Sequence, residues 1–97
     1  AKRIAAMADA FHMPIAPHDC VGPVTLMFSV HLSLNATNAL IQETVRAYNN
    51  TWYKEIVDQL PNIENGYALP PEGYGTGTNL LRSFLSNPST SVVESAL

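Results

Sequence analysis

The chain has 97 residues, of which 46% are apolar and only 13% charged, with a net charge of -3. Ordinary domains carry roughly 25% charged residues, and small ones need polar side chains to cover their large relative surface, so this composition predicts faces buried against something outside the chain. Five Lys and Arg residues without a cluster argue against nucleic-acid binding and against a basic membrane-surface helix.

The first seven residues carry two basic side chains and then apolar ones, but Asp9, His12 and Pro14 interrupt any signal-peptide core. Ile4, Met7, Ala8 and Phe11 fall at helical spacing and predict a helix over residues 3–12. Met13 to Pro17 form a short apolar run bounded by prolines, which predicts a short buried strand. His18 to Pro23 reads as a polar turn, with Pro23 in the first turn of the next helix, where its missing N–H does no harm. Residues 23–35 are apolar almost all round and predict a helix covered on most sides. The apolar run from Val21 to Leu34 is interrupted by His31 and by Ser and Thr, and it falls short of the ~20 residues that span a bilayer.

Asn35 to Asn38 break that helix. Ala39 to Glu43 predict a second buried strand, apolar on both faces as parallel strands under helices are. Trp52, Tyr53, Ile56, Val57 and Leu60 predict an amphipathic helix over residues 50–60, its core side formed by the Trp52–Tyr53 stripe, with Lys54 and Asp58 as an i,i+4 pair. From Pro61 onward Gly and Pro mark an irregular stretch. A short helix is predicted over residues 79–85, and residues 86–97 read as loose or weakly extended.

Strands separated by about one helix form the βαβ crossover pattern. Two strands alone build no adequate parallel sheet, and a full barrel takes ~250 residues. The chain therefore reads as α/β: the C-terminal portion of a (β/α)8 TIM-like barrel, incomplete as a domain. Residues 1–60 read as the last strand-helix units, and residues 61–97 as a tail packing back toward the barrel or a capping domain. A start without Met fits a missing upstream part, and the single Cys20 fits a cytoplasmic protein.

His18 follows the first predicted strand and Glu43 ends the second, 25 positions on. The carboxyl ends of barrel strands hold catalytic groups, so the two would face one bowl. Strand-end position alone leaves open a turn histidine and a solvated glutamate.

The segments Ile15-Ala16-Pro17-His18-Asp19-Cys20-Val21-Gly22-Pro23 and Asn38-Ala39-Leu40-Ile41-Gln42-Glu43 resemble the seventh and eighth barrel strands of enolase-superfamily enzymes. The likeness is to the mandelate racemase subgroup, nearest to acid-sugar dehydratases such as the galactonate dehydratases. Residues 63–67, 70–73 and 75–77 resemble the tail leaving that barrel. The resemblance implies removal of the proton α to a carboxylate, an enediolate stabilised by Mg2+ and hydrogen-bond donors, and loss of a β-hydroxyl to give a 2-keto-3-deoxy acid. It implies His18 as general acid/base and Glu43, when protonated, as a donor near the substrate carboxylate. It also implies that the Mg2+ ligands, the acidic partner that orients the histidine, and the capping domain lie outside this chain. The expected partners are thus that missing N-terminal part and a sugar acid, with a homo-oligomer as a further expectation.

Other candidates are weaker. Cys20 and His18 suggest a nucleophilic pair but lack a third orienting group in sequence, and Asp19, adjacent to His18, is a poor orienting substitute. His12 and His31 read as packed or surface histidines. The Gly73-Tyr74-Gly75-Thr76-Gly77 run has no preceding strand and no following Lys, so it reads as chain-turning, not phosphate-binding. Two Asn-X-Thr patterns, at Asn35 and Asn49, stand without other signs of secretion. A non-catalytic remnant with exposed apolar faces and a racemase or cycloisomerase of the same superfamily remain as competing readings.

Overall fold

The computed structural model describes residues 1–96. Helix α1 spans Lys2–Ala10 and buries Ala5. It stops two residues before the predicted end because the chain closes it with a left-handed residue: His12 has φ 55°. The His12 N–H donates to Asp9 O at 2.9 Å and the Met13 N–H to Ala8 O at 2.9 Å. These are the two reverse bonds of a Schellman end, which satisfy carbonyls that the helix leaves orphaned. His12 is thus a capping residue, not a member of the helix.

Helix α2 spans Pro23–Asn35, with Pro23 at its N-terminal turn. Pro23, Leu26, Met27 and Val30 are buried, a spacing that traces one face. The opposite side stays open: Val24, Phe28 and Leu34 are exposed. Among the described residues, the expected covering on most sides is therefore absent.

The two predicted strands shrink to a single parallel bridge, Ile15 to Ala39. The Ile15 N–H donates to Asn38 O and the Leu40 N–H to Ile15 O, both at 2.9 Å. Pro14 and Pro17 offer no N–H, and neither segment has a second strand on its outer edge here. A ladder needs more than these few bonds to register as strand.

The predicted helix over residues 50–60 breaks in two. Helix α3 spans Arg46–Asn50, and a 3-10 turn covers Trp52–Glu55. Thr51 between them has φ -123° and ψ -111°, and its hydroxyl donates to Ala47 O at 2.6 Å. Asn and Thr bond locally to backbone and compete with helix propagation. The predicted Lys54–Asp58 pair gives way to another arrangement. Val57 bridges to Leu80, and Asp58 receives the Asn79 N–H at 2.8 Å and the Asn79 side-chain amide at 2.9 Å.

Strands β1 (Ile63–Glu64) and β2 (Tyr67–Ala68) form an antiparallel hairpin. Asn65 and Gly66 both have positive φ, 52° and 84°, as the tight two-residue hairpin turn demands. Helix α4 spans Arg82–Leu85, shorter than predicted. Among the described residues, no helix is long and apolar enough to cross a membrane.

Leu26, Val30 and Tyr53 form the core, flanked by Tyr48, Leu60 and Ala68. Tyr48, Trp52 and Tyr53 pack as an aromatic cluster, the last two edge-on at 4.5 Å between ring centres. Tyr53 is fully buried in this core, while Trp52 packs edge-on against it and remains exposed. A cleft of about 310 Å³ opens between α2, residues 39–42 and the hairpin, and it contains neither His18 nor Glu43.

Candidate active site

The parallel bridge fixes the register of the site. Just beyond it, the Glu43 N–H donates to Pro17 O at 3.1 Å. Gln42 reinforces the same junction, its amide donating to Pro17 O at 3.1 Å. The Ser33 hydroxyl on α2 in turn donates to Gln42 Oε1 at 2.8 Å. His18 leaves the first segment directly after Pro17 and meets Glu43 leaving the second.

The side chains touch. His18 Nδ1 hydrogen-bonds the Glu43 carboxylate, and His18 Nε2 lies 3.0 Å from Cys20 Sγ. A neutral imidazole has one donor nitrogen and one acceptor. With Nδ1–H donated to the carboxylate, Nε2 carries the lone pair and accepts the thiol proton. The His18 and Glu43 side chains are 60% and 52% exposed. Solvent screens such a pair, so its effect on stability is small; its consequence is to fix the tautomer and the ring plane. His18 also borders a hollow of about 270 Å³ that Ile4, Ile15, Pro17, Ser29 and Leu32 help to line.

Asp19 takes the opposite direction from its two neighbours. It is fully buried, and the Tyr53 hydroxyl donates to its carboxylate at 3.3 Å. His18 and Cys20 are exposed and in contact with each other, while Asp19 points inward to Tyr53, so it does not orient the histidine. Burial first, then the Asp19 charge, pushes the Tyr53 hydroxyl up to about 12.

Both predicted site residues are thus brought together, and Glu43 is in contact with the imidazole itself. Glu43, His18 and Cys20 thus lie in one hydrogen-bonded chain. The Asp19–Tyr53 contact was missed. It joins residues 34 apart, and no local pattern links them. His31 Nε2 sits 3.1 Å from Thr76 O, which ties α2 to the glycine-rich loop and leaves it outside the site. Asn49 is half-buried, its amide donating to Thr44 Oγ1 at 3.0 Å while its Oδ1 has no partner, so this Asn-X-Thr pattern offers a poorly accessible acceptor. Among the described residues, no three His, Cys, Asp or Glu side chains gather where they could hold a metal ion. One imidazole, one thiol and one carboxylate bound to each other do not fit Mg2+, which requires near-octahedral oxygen coordination.

Residues 1–83 match the enolase C-terminal domain-like family. The chain belongs to this family. It is 32% identical over 83 residues to a D-galactonate dehydratase of Ralstonia pickettii (strain 12J), covering 80% of this chain and 22% of that protein. It is 30% identical over 79 residues to a D-xylonate dehydratase of Haloferax volcanii, covering 81% and 19%. Its fold matches a crystal structure of a mandelate racemase subgroup enolase from Agrobacterium tumefaciens with TM-score 0.77 and 54% identity, over 82% of this chain and 22% of that one. The chain thus spans about a fifth of the length of the relatives it matches, and its fold corresponds to part of an α/β barrel.

Proposed function

We propose that this chain is the C-terminal part, about strands seven and eight with the tail, of a Mg2+-dependent sugar-acid dehydratase of the cytoplasm. The observation that carries this reading is the meeting of His18 and Glu43 at the carboxyl ends of two parallel-bridged segments, in a chain similar to two acid-sugar dehydratases. In the barrel architecture that edge is the catalytic one.

In this reading, His18 Nε2 takes the proton α to the substrate carboxylate and later gives a proton to the departing β-hydroxyl, yielding a 2-keto-3-deoxy acid. Glu43 holds Nδ1–H and, when protonated, donates to the substrate carboxylate. The Cys20 thiol lies on Nε2, so a bound substrate displaces it. The metal is held outside these residues, and the N-terminal barrel and cap complete the site. Residues 61–97 form the tail that packs toward barrel or cap.

The test is His18→Asn in the full-length enzyme carrying this segment, assayed on a panel of sugar acids. Loss of general acid-base catalysis lowers kcat about 10²- to 10⁴-fold, and exchange of the α-proton with solvent deuterium stops. Unchanged turnover removes His18 from the mechanism. Racemisation in place of dehydration moves the enzyme to a sister activity of the superfamily.

A second reading, a non-catalytic piece that associates through its apolar faces, is favoured by one observation. Leu40 and Ile41, adjacent in the second bridged segment, are 75% and 63% exposed. A discrete soluble oligomer of this chain, with no longer gene product carrying it, supports that reading.

A further inference from the structure

We infer that Glu43, His18 and Cys20 form a carboxylate–imidazole–thiol relay that makes Cys20 a nucleophile toward hydroperoxides. This inference stands apart from the dehydratase reading, since it needs only these three side chains and no missing part of a barrel.

The geometry is that of an activated nucleophile. Such a group needs a base within hydrogen-bond reach and a third group to orient that base. His18 Nε2 is 3.0 Å from Cys20 Sγ, and Glu43 holds the far nitrogen. Glu43 is anchored through its N–H to Pro17 O. Buried Asp19, held by Tyr53, fixes the chain between His18 and Cys20. The thiol is free and exposed, so a small electrophile reaches it from solvent. The exposed setting of Sγ favours a reagent as small as hydrogen peroxide or an alkyl hydroperoxide.

The step balances without further groups. The thiol proton passes to His18 Nε2 while Nδ1–H stays on the Glu43 carboxylate. The thiolate attacks the distal peroxide oxygen; an S–O bond forms and the O–O bond breaks. Sulfur is oxidised by two electrons to a sulfenic acid, and the peroxide is reduced. The departing alkoxide or hydroxide takes the proton from Nε2 and leaves as alcohol or water. Two equivalents of a low-molecular-weight thiol return the sulfenic acid to the thiol, giving one disulfide and water.

The experiment treats the 97-residue chain with hydrogen peroxide at neutral pH, traps sulfenic acid with dimedone and reads the adduct by mass. Cys20 is the one cysteine of the chain, so the adduct is unambiguous. The native chain is expected to react about a hundredfold faster than the same chain in concentrated urea, the lower end of what a positioned general base contributes. His18→Asn falls to the urea rate, and Glu43→Gln falls toward it, with far-UV circular dichroism unchanged in both. Equal rates in native buffer and in urea overturn the relay without any variant. A His18→Asn chain that is folded and as fast as the parent overturns it as well, leaving an incidental surface contact.

Discussion

A carboxylate taken out of water costs several kcal/mol unless it is hydrogen-bonded, and Asp19 is fully buried with the Tyr53 hydroxyl as its side-chain donor. The pair therefore pins the turn that carries His18 and Cys20. Tyr53→Phe keeps the ring in the core and removes only that donor. It is expected to destabilise the fold by about 1–3 kcal/mol, the desolvation penalty of a buried polar group left unmet; urea unfolding at neutral pH checks it, and an unchanged midpoint denies the pin. The burial of Tyr53 beside Asp19 has a pH signature. The Tyr53 hydroxyl rises from 10.0 to about 12 in the fold, so the folded state holds this proton where the unfolded chain has released it. Its contribution is complete below pH 10 and is lost as pH rises through about 12. Unfolding followed across that window should weaken more steeply for the parent than for Tyr53→Phe. At this scale the site was legible in part. That His18 and Glu43 meet was readable mainly from the family resemblance, with their predicted strand-end positions as modest support. Asp19 was not, because its partner arrives from a different element through tertiary packing.

Elements whose ends are written in local chemistry were read closely, and those decided by packing were not. The start of α2 follows from Pro23. The hairpin β1–β2 falls in a stretch read as irregular, although Asn65-Gly66 between Ile63-Glu64 and Tyr67-Ala68 is a tight-turn signal. The predicted helix over residues 50–60 failed because Val57 and Asp58 find partners at Leu80 and Asn79, far along the chain. Two substitutions test the local reasoning. His12 ends α1 at φ 55°, a left-handed conformation that costs a residue with a Cβ roughly 1–2 kcal/mol. His12→Gly should therefore stabilise the chain by about 0.5–1 kcal/mol after glycine's own entropy is counted, seen as a raised urea midpoint; a lowered midpoint assigns His12 a packing role instead. Gly77 is the reverse case. It has φ 76°, and a Cβ there would stand 2.7 Å from Glu72 O. Gly77→Ala should destabilise by more than the ~1 kcal/mol that an unstrained glycine replacement gains. It should also loosen the Thr76 carbonyl from His31, which a histidine-selective NMR spectrum reports.

For the whole molecule, the exposed apolar side chains have an order that a complete surface would not show. Leu40 and Ile41 are successive residues of an extended segment and project to opposite faces, yet both lie open. Across the chain, Phe28 and Val24 open the outer side of α2 while its inner side is filled. A segment apolar on both faces belongs between two layers, and this chain provides one. The low charge content of the sequence agrees with such open faces. The consequence is physical: exposed contiguous apolar surface drives association. The 97-residue chain alone should sediment above its 10.5 kDa monomer mass. Ile41→Glu should shift it toward monomer by placing a charge on one open face. On the reading proposed above, the same substitution in the full-length protein buries that charge against the rest of the barrel, at a cost of several kcal/mol, and should abolish soluble expression. Opposite effects of one substitution in the two contexts would identify the open face as a barrel interior. A monomeric, cooperatively unfolding parent chain would show instead that these 97 residues need no further layer.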